Sequence, residues 1–240
     1  MTTDRRNIAL ILAGGTGTRA GFTVPKQFVE LAGRTMIERT IDAFQASPAI
    51  AGIVVVGNVQ TADEMRSLVM ANKWTKFIGL CNGGPNRFAS GNAGLALCPQ
   101  QGCNVLIHDA ARPLVSQRVI ADVCRALESH GAVCTAVPAT DSLMTSADGG
   151  KTVERYIDRS TVWNVQTPQA FHAEVIREAY TEALRHSDFS ATDDCSVVRR
   201  YLPRVEIAIV RGDETNIKLT YPSDKERIER LLAERNDSAL

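Results

Sequence analysis

The sequence predicts an open, doubly wound α/β fold: a mostly parallel sheet covered by helices on both faces, with a β-arm projecting from it. Short apolar runs rich in β-branched residues recur along the 240 residues. Segments of helical period separate most of them, and one polar stretch, Asp141–Trp163, breaks the rhythm. Continuous apolar strands alternating with amphipathic helices belong to a sheet buried on both faces, whose ligands bind at the carboxyl ends of the strands.

The strands are expected at Ile8–Leu12, Ile53–Val56, Phe77–Leu80, Val105–Ile107, Ala132–Val137 and Val205–Val210. The helices between them are expected at Thr35–Ala46, Ala62–Ala71, Arg87–Leu97, Ser116–Ser129 and His172–Leu184. Within 139–165, the runs Thr152–Ile157 and Thr161–Val165 and a turn containing Gly149-Gly150 read as a hairpin. Such an arm needs a surface to pack on, and a second copy of the chain, making a homodimer, is the economical one. The tail Ser223–Glu234 starts on a helix cap and reads as a surface helix, with Asn236–Leu240 fraying. Residues 1–240 are expected to form one domain, a length that suits a single α/β unit.

Composition excludes several classes. Lys+Arg and Asp+Glu both number 27, so neither the basic excess of a nucleic-acid binder nor an acidic tail is present. Any anion site must be a local cluster. No run approaches the ~18 apolar residues of a membrane span. The six cysteines show no C-x-x-C pair, and several lie in apolar stretches, which points to reduced thiols and a cytoplasmic protein.

The first strand runs directly into Ala13-Gly14-Gly15-Thr16-Gly17-Thr18-Arg19. Glycines there let backbone N–H groups approach phosphate closely. A Walker A loop would end in Gly-Lys-Ser/Thr, and Arg19-Ala20 does not. The stretch Gly15-x-Gly17-x-x-Ala20 satisfies the short dinucleotide fingerprint, which also needs an acidic residue ~20 positions on, closing the second strand. Glu38 stands at that distance, but in a helical pattern. The third reading is a nucleoside-triphosphate loop in which Arg19 and Lys26, of Pro25-Lys26-Gln27, flank the glycines. Two cations suit a triphosphate whose charge grows as pyrophosphate departs.

LAGGTGTR followed by PKQF resembles the cytidylyltransferases that make CDP-methylerythritol and CDP-ribitol. The resemblance continues through Gly83-Gly84-x-x-Arg87-x-x-Ser90, His108-Asp109-Ala110-Ala111-Arg112-Pro113, Asp158-Arg159-Ser160, Gln166-Thr167-Pro168-Gln169, Thr192-Asp193-Asp194 and Asn216-Ile217-Lys218. It implies a Rossmann-like nucleotidyltransferase that joins CTP to a small polyol phosphate.

The family's roles fall on matching positions. Arg19, Lys26 and Lys218 would be the catalytic cations, and Ala13, Gly14, Gly15, Gly17, Gly83 and Ser90 would hold the nucleotide. Arg112, Ser142, Arg159, Thr167 and Thr192 would face the acceptor, the arm reaching into the neighbouring subunit's site. Asp109, following the strand Val105–Ile107, would hold Mg²⁺ through one direct bond, although an Asp there also suits a helix cap. His108 reads as structural, since an acceptor phosphate is already an anionic nucleophile.

Two departures bear on the acceptor. Ala13-Gly14-Gly15 looks more like the ribitol enzymes, and Asp141-Ser142-Leu143-Met144 lacks the lysine of many isoprenoid members. In addition, Thr215 stands where some relatives have Asp. DRS-x-x-W, VQTPQAF and HDAARP look closer to the isoprenoid branch, which makes 2-C-methyl-D-erythritol 4-phosphate the expected acceptor and ribitol 5-phosphate the alternative. Readings of other classes are a nicotinamide-dependent oxidoreductase and an inactive nucleotide-binding regulator.

Overall fold

The computed structural model describes residues 5–15, 22, 24–186 and 192–237. Strand β1 (Arg6–Leu12) is buried on both sides: Ile8 and Leu10 enter one core layer, Ala9 and Ile11 the other. The alternation of side chains along a strand makes this unavoidable for a continuous apolar run. A small ladder of β2 (Glu30–Leu31) and β3 (Arg34–Thr35) leads into α1 (Met36–Ala46). Thr35 caps α1, and Glu38 returns the bond by accepting from the Thr35 amide at 2.8 Å.

Then β4 (Gly52–Gly57), α2 (Ala62–Asn72), β5 (Phe77–Asn82), α3 (Arg87–Leu95), β6 (Cys103–Asp109), α4 (Gln117–Ala126) and β7 (Ala132–Pro138) alternate, as the periodicity predicts. The hairpin strands β8 (Leu143–Thr145) and β9 (Arg155–Ile157) form a separate ladder. The chain closes with β10 (Trp163–His172), α5 (Ala173–Ala183), α6 (Asp194–Tyr201), β11 (Ile207–Arg211) and α7 (Ser223–Asp237).

The main sheet has seven strands in the order β11-β7-β10-β6-β1-β4-β5. Its strands run parallel except β10, which is antiparallel to both neighbours. One face is covered by α1, α2 and α4 through Ile37, Phe44, Met65 and Val123. The other is covered by α3, α5 and α6 through Leu95, Ile176, Tyr180 and Val198. A third apolar cluster seats α7, through Ile228 and Leu232, on Leu31, Leu114 and Leu219. The strand order turns at β1, with β4 on one side and β6 on the other. A crevice at such a reversal, at the carboxyl ends, is where open α/β sheets bind ligands.

Three elements differ from the sequence expectation. The hairpin pairs Arg155–Ile157 with Leu143–Thr145, around the turn containing Gly149 and Gly150. The run Thr161–Val165 instead leads into β10 of the main sheet. Residues 166–172 had no strand signal because Gln166, Thr167, Pro168 and Gln169 interrupt the apolar pattern. The ladder shifts register between Val165 and Gln169, and Gln166, Thr167 and Gln169 are nonetheless buried. Helix α6 is too short to announce itself by period and is started by a capping box between Asp193 and Ser196.

Helix α3 lies close against β1 and β4 because Gly94 has no side chain. A Cβ there would stand 2.3 Å from Leu10 Cδ1 and 2.7 Å from Val56 Cγ2. Gly94→Ala should therefore destabilise the protein by about 1–3 kcal/mol in urea unfolding, overriding alanine's better helix propensity. An unchanged midpoint would contradict this packing.

Candidate active site

The carboxyl ends of β1, β4 and β6 meet at the reversal of strand order. Leu12 of β1 pairs with Asp109 of β6 in register, and the Ala110 amide donates to the Leu12 carbonyl at 3.0 Å. Ala13 continues from β1 and donates to the Val56 carbonyl at 2.7 Å, so the glycine turn leaves the sheet beside Asp109. Gly17 and Arg19 of that turn lie outside the described residues.

Gly83 closes the other side: its amide donates to the Gly57 carbonyl at 2.8 Å. The Gly84 amide donates to Ser90 Oγ at 3.2 Å, and Asn86 caps α3 by accepting from the Ala89 amide. A Cβ on Gly83 would fall 2.6 Å from Ser90 Oγ, so this approach of loop to helix needs glycine. Gly14, Gly83 and Ser90, the expected nucleotide-binding positions, are thus neighbours.

Lys26 opens a short 3-10 turn, Lys26–Phe28, and its position is tied to the glycine turn by a relay of side chains. Gln27 Nε2 donates to Thr61 Oγ1 at 3.3 Å, Thr61 donates to Asn58 Oδ1 at 3.0 Å, and Asn58 Nδ2 donates to the Gly14 carbonyl at 3.3 Å. The two turns are held together by Asn58, 44 residues from Gly14, and Thr61, 34 residues from Gln27, groups the sequence did not single out.

Asp109 is the electrostatic centre. Its carboxylate accepts from Lys218 Nζ at 2.7 Å through Oδ2 and from Arg87 Nη1 through Oδ1. Burial alone would raise the carboxyl's pKa, but the charges of Arg87 and Lys218 outweigh it and hold the group well below the usual carboxylate range. Arg87 in turn spans to Asp194, donating from Nη2 at 2.8 Å and Nε at 3.2 Å. Tyr180 donates to the other Asp194 oxygen at 2.6 Å. Burial pushes the Arg87 guanidinium down, and the two carboxylates more than offset it, so it is held charged. Among the described residues no three His, Cys, Asp or Glu side chains cluster as a protein-only metal cage.

His108 is fully buried, and burial lowers its pKa to about 4. Its ring is neutral, with Nε2 donating to the Arg112 carbonyl at 3.1 Å. Nδ1 then accepts from Thr167 Oγ1 at 3.0 Å, and Thr167 accepts from the Asp109 amide at 3.1 Å. Both ring nitrogens are thus engaged in holding the β6 end in place, as expected of a structural histidine. Arg112 donates to the Asn216 carbonyl at 2.7 Å, and Asn216 Nδ2 donates to the Thr167 carbonyl at 2.9 Å and to Gln166 Oε1 at 3.2 Å. This buried polar set anchors the segment carrying Lys218.

The remaining expected positions lie further out. Ser142 and Arg159 are exposed at the base of the hairpin, Arg159 opening a 3-10 turn and donating to the Thr140 carbonyl at 2.8 Å. Thr192 is exposed two residues before Asp194. Arg87, Asp194, Gln166 and Asn216 carry no site role in the sequence pattern, though all four lie inside its motifs. Charged or amide residues that interrupt an apolar segment were the available signal. Glu38, the carboxylate a dinucleotide reading would need, is committed instead to capping α1 and to Asn72. Two surface cavities of about 500 and 440 Å³ lie away from this rim, beside Arg34 and Trp74 and beside Arg39 and Arg235.

A glycine-rich turn, a lysine-bonded carboxylate and a reversal of strand order in one crevice are the working parts of a nucleotidyltransferase. The whole chain agrees. The family model described as 2-C-methyl-D-erythritol 4-phosphate cytidylyltransferase matches residues 7–234, and the chain belongs to this family. A relative of that name from Thermobifida fusca is 41% identical over 232 residues, covering 95% of this chain and 93% of the relative. A Haemophilus influenzae protein, described as a bifunctional ribulose 5-phosphate reductase/CDP-ribitol pyrophosphorylase, is 32% identical over 98% of this chain and 50% of its own length. Among solved structures, 4-diphosphocytidyl-2C-methyl-D-erythritol synthase from Anaerococcus prevotii superposes with a TM-score of 0.85 at 27% identity, over 97% of this chain and 98% of that one.

Neutral burial of His108 has a measurable consequence. Its folded pKa, about 4, lies below the unfolded 6.5, so its contribution is complete above pH 6.5 and is lost as pH falls toward 4. Wild-type stability should drop by about 2–3 kcal/mol over that window in urea titrations, with a flatter profile for His108→Gln. Identical profiles would contradict a neutral buried imidazole.

Proposed function

We propose that the chain transfers CMP from CTP to 2-C-methyl-D-erythritol 4-phosphate and releases pyrophosphate, a step of isoprenoid precursor synthesis. The observation that carries this is the Lys218–Asp109 pair, set at 2.7 Å at the strand ends beside the glycine turn. A phosphate oxygen of the acceptor attacks the α-phosphorus in line. One P–O bond forms there, and the bond to the β-phosphate oxygen breaks. No covalent enzyme intermediate and no general base are needed. The chain's contribution is to align two mutually repelling anions and to neutralise charge as it develops.

Lys218 carries an ammonium on a half-exposed stem and can move from Asp109 to the α-phosphate. Lys26 and Arg19 would sit at the phosphates from the glycine side, and Gly83 and Ser90 at the cytosine. Arg112, already oriented by Asn216, keeps guanidinium donors for the acceptor phosphate. Thr167 acts by positioning Asp109 and His108 beside that acceptor. Asp109 fits Mg²⁺, which commonly takes one or two carboxylate oxygens and completes its shell with phosphates and water. When bound, Mg²⁺ would neutralise the triphosphate, with Asp109 as its protein ligand.

The hairpin exposes Met144, Val153 and Tyr156, and Trp163 is exposed at the start of β10. We read this surface as the contact by which a second copy docks in a homodimer, with Ser142, Arg159 and Thr192 serving an acceptor. Six free cysteines, five of them buried, suit the cytoplasm. No helix among the described residues is long and apolar enough to cross a membrane.

Pyrophosphate release from CTP and Mg²⁺ should require 2-C-methyl-D-erythritol 4-phosphate. Release with ribitol 5-phosphate alone would reassign the acceptor, and release with neither would leave a nucleotide-binding protein. Lys26→Ala and Lys218→Ala should each lower kcat by roughly 10²–10³-fold, the second with a lowered melting temperature because Asp109 loses one of its two counter-ions. Near-normal turnover in either removes that lysine from the mechanism. Arg159→Ala should mainly raise the KM for the acceptor, and an unaltered KM would free the hairpin from that role.

A further inference from the structure

The two cations on Asp109 are held very differently. The side chain of Lys218 is 45% exposed, and among the described residues Asp109 is the carboxylate it pairs with. Arg87 has only 25% of its side chain exposed, and Asp194, with 2% exposed, grips it from behind. The grip uses one edge of the guanidinium, Nη2 at 2.8 Å and Nε at 3.2 Å on the same oxygen, Asp194 Oδ2. Only Nη1 reaches Asp109, on Oδ1, while Lys218 takes Oδ2. An arginine facing a carboxylate with its fork free takes both oxygens in parallel. The side-on grip of Asp194 on Nε and Nη2 instead fixes the guanidinium in an orientation from which Nη1 alone meets Asp109.

We infer that Asp194, acting through Arg87, is a positioning residue that confines Arg87 to one oxygen of Asp109 and reserves the other, Oδ2, for exchange between Lys218 and Mg²⁺. Arg87 then stays as a permanent counter-ion, and Lys218 is the one that leaves. The departure of Lys218 to the α-phosphate opens Oδ2 at the moment the nucleotide and its metal arrive. Asp109 is thereby built as a one-oxygen ligand. Because Arg87 also begins α3, whose preceding loop holds Gly83 and Gly84, the same side chain fixes the cytosine segment relative to the metal-binding carboxylate. This inference rests on the reading of Asp109 as the Mg²⁺ ligand.

The test measures Mn²⁺ binding to the enzyme–CTP complex by electron paramagnetic resonance, without acceptor, alongside the Mg²⁺ dependence of pyrophosphate release. In Asp194→Asn the weakened grip lets the Arg87 fork turn onto both Asp109 oxygens. Mn²⁺ affinity should fall by about 10- to 100-fold, and the lost turnover should return as Mg²⁺ is raised. Tyr180→Phe removes the bond to the other Asp194 oxygen while leaving the grip on Arg87. It should lower the melting temperature but keep Mn²⁺ affinity within about twofold, which separates a positioning role from a merely structural one. Should Asp194→Asn not fold, Asp194→Glu, which keeps the charge but displaces the oxygen, should weaken Mn²⁺ by a few fold.

Unchanged Mn²⁺ affinity in a folded Asp194 variant, or a loss of turnover that added Mg²⁺ does not restore, overturns the inference. Asp109→Asn is the reference. If it leaves Mn²⁺ binding intact, Asp109 is not the ligand and the inference falls with that reading. If it abolishes binding while the Asp194 variants do not change it, the inference alone fails.

Discussion

The burial of one carboxylate governs the arrangement of this molecule. Asp109 closes the central strand of a sheet covered on both faces, with 10% of its side chain exposed. Removing a carboxylate from water costs several kcal/mol unless partners replace the lost solvation. Here the replacement comes from Arg87, 22 residues before it, and Lys218, 109 residues after it. Neither partner has a local reason to be there. The fold therefore has to bring the start of α3 and the segment after β11 to the end of β6, and much of the polar interior exists to do so.

That polar interior is linked around His108. The neutral ring donates to one carbonyl and accepts from Thr167, which in turn accepts from the backbone of Asp109. Asn216 and Gln166 continue the set toward Lys218, with Gln166 Nε2 donating to the Asp213 carbonyl at 2.8 Å. A buried network of this kind is costly if any member is missing and rigid when all are present. Rigidity matters where catalysis depends on aligning groups rather than on a reactive side chain.

Most of the sheet was legible in the sequence because its strands are apolar runs with nothing polar inside them, as in Ile53–Val56 or Ala132–Val137. The helices followed from period and caps, Thr35 before α1 and Ser116 before α4 being examples. Strand β10 was hidden since half of it carries buried amides and a proline in place of an apolar repeat. The hairpin's register was misread because its strands are three residues each, too short to show alternation. Within the site, residues that would touch phosphate stood out through glycine and charge. Arg87 and Asp194 did not, because their partners are each other and Asp109, and contacts across 107 residues leave no mark on local sequence.

The antiparallel direction of β10 also decides where the hairpin can emerge. β7 runs toward the carboxyl rim of the sheet and β10 starts from that same rim, so the insertion between them leaves at the end that carries Asp109. A parallel strand in that place would have forced a crossover to the far end first. Length and charge in residues 139–162 can therefore drift among descendants of this chain without disturbing a single ladder of the core. With Ser142 and Arg159 in the acceptor role proposed for them, choice of sugar partner and competence toward the nucleotide are free to evolve as separate modules.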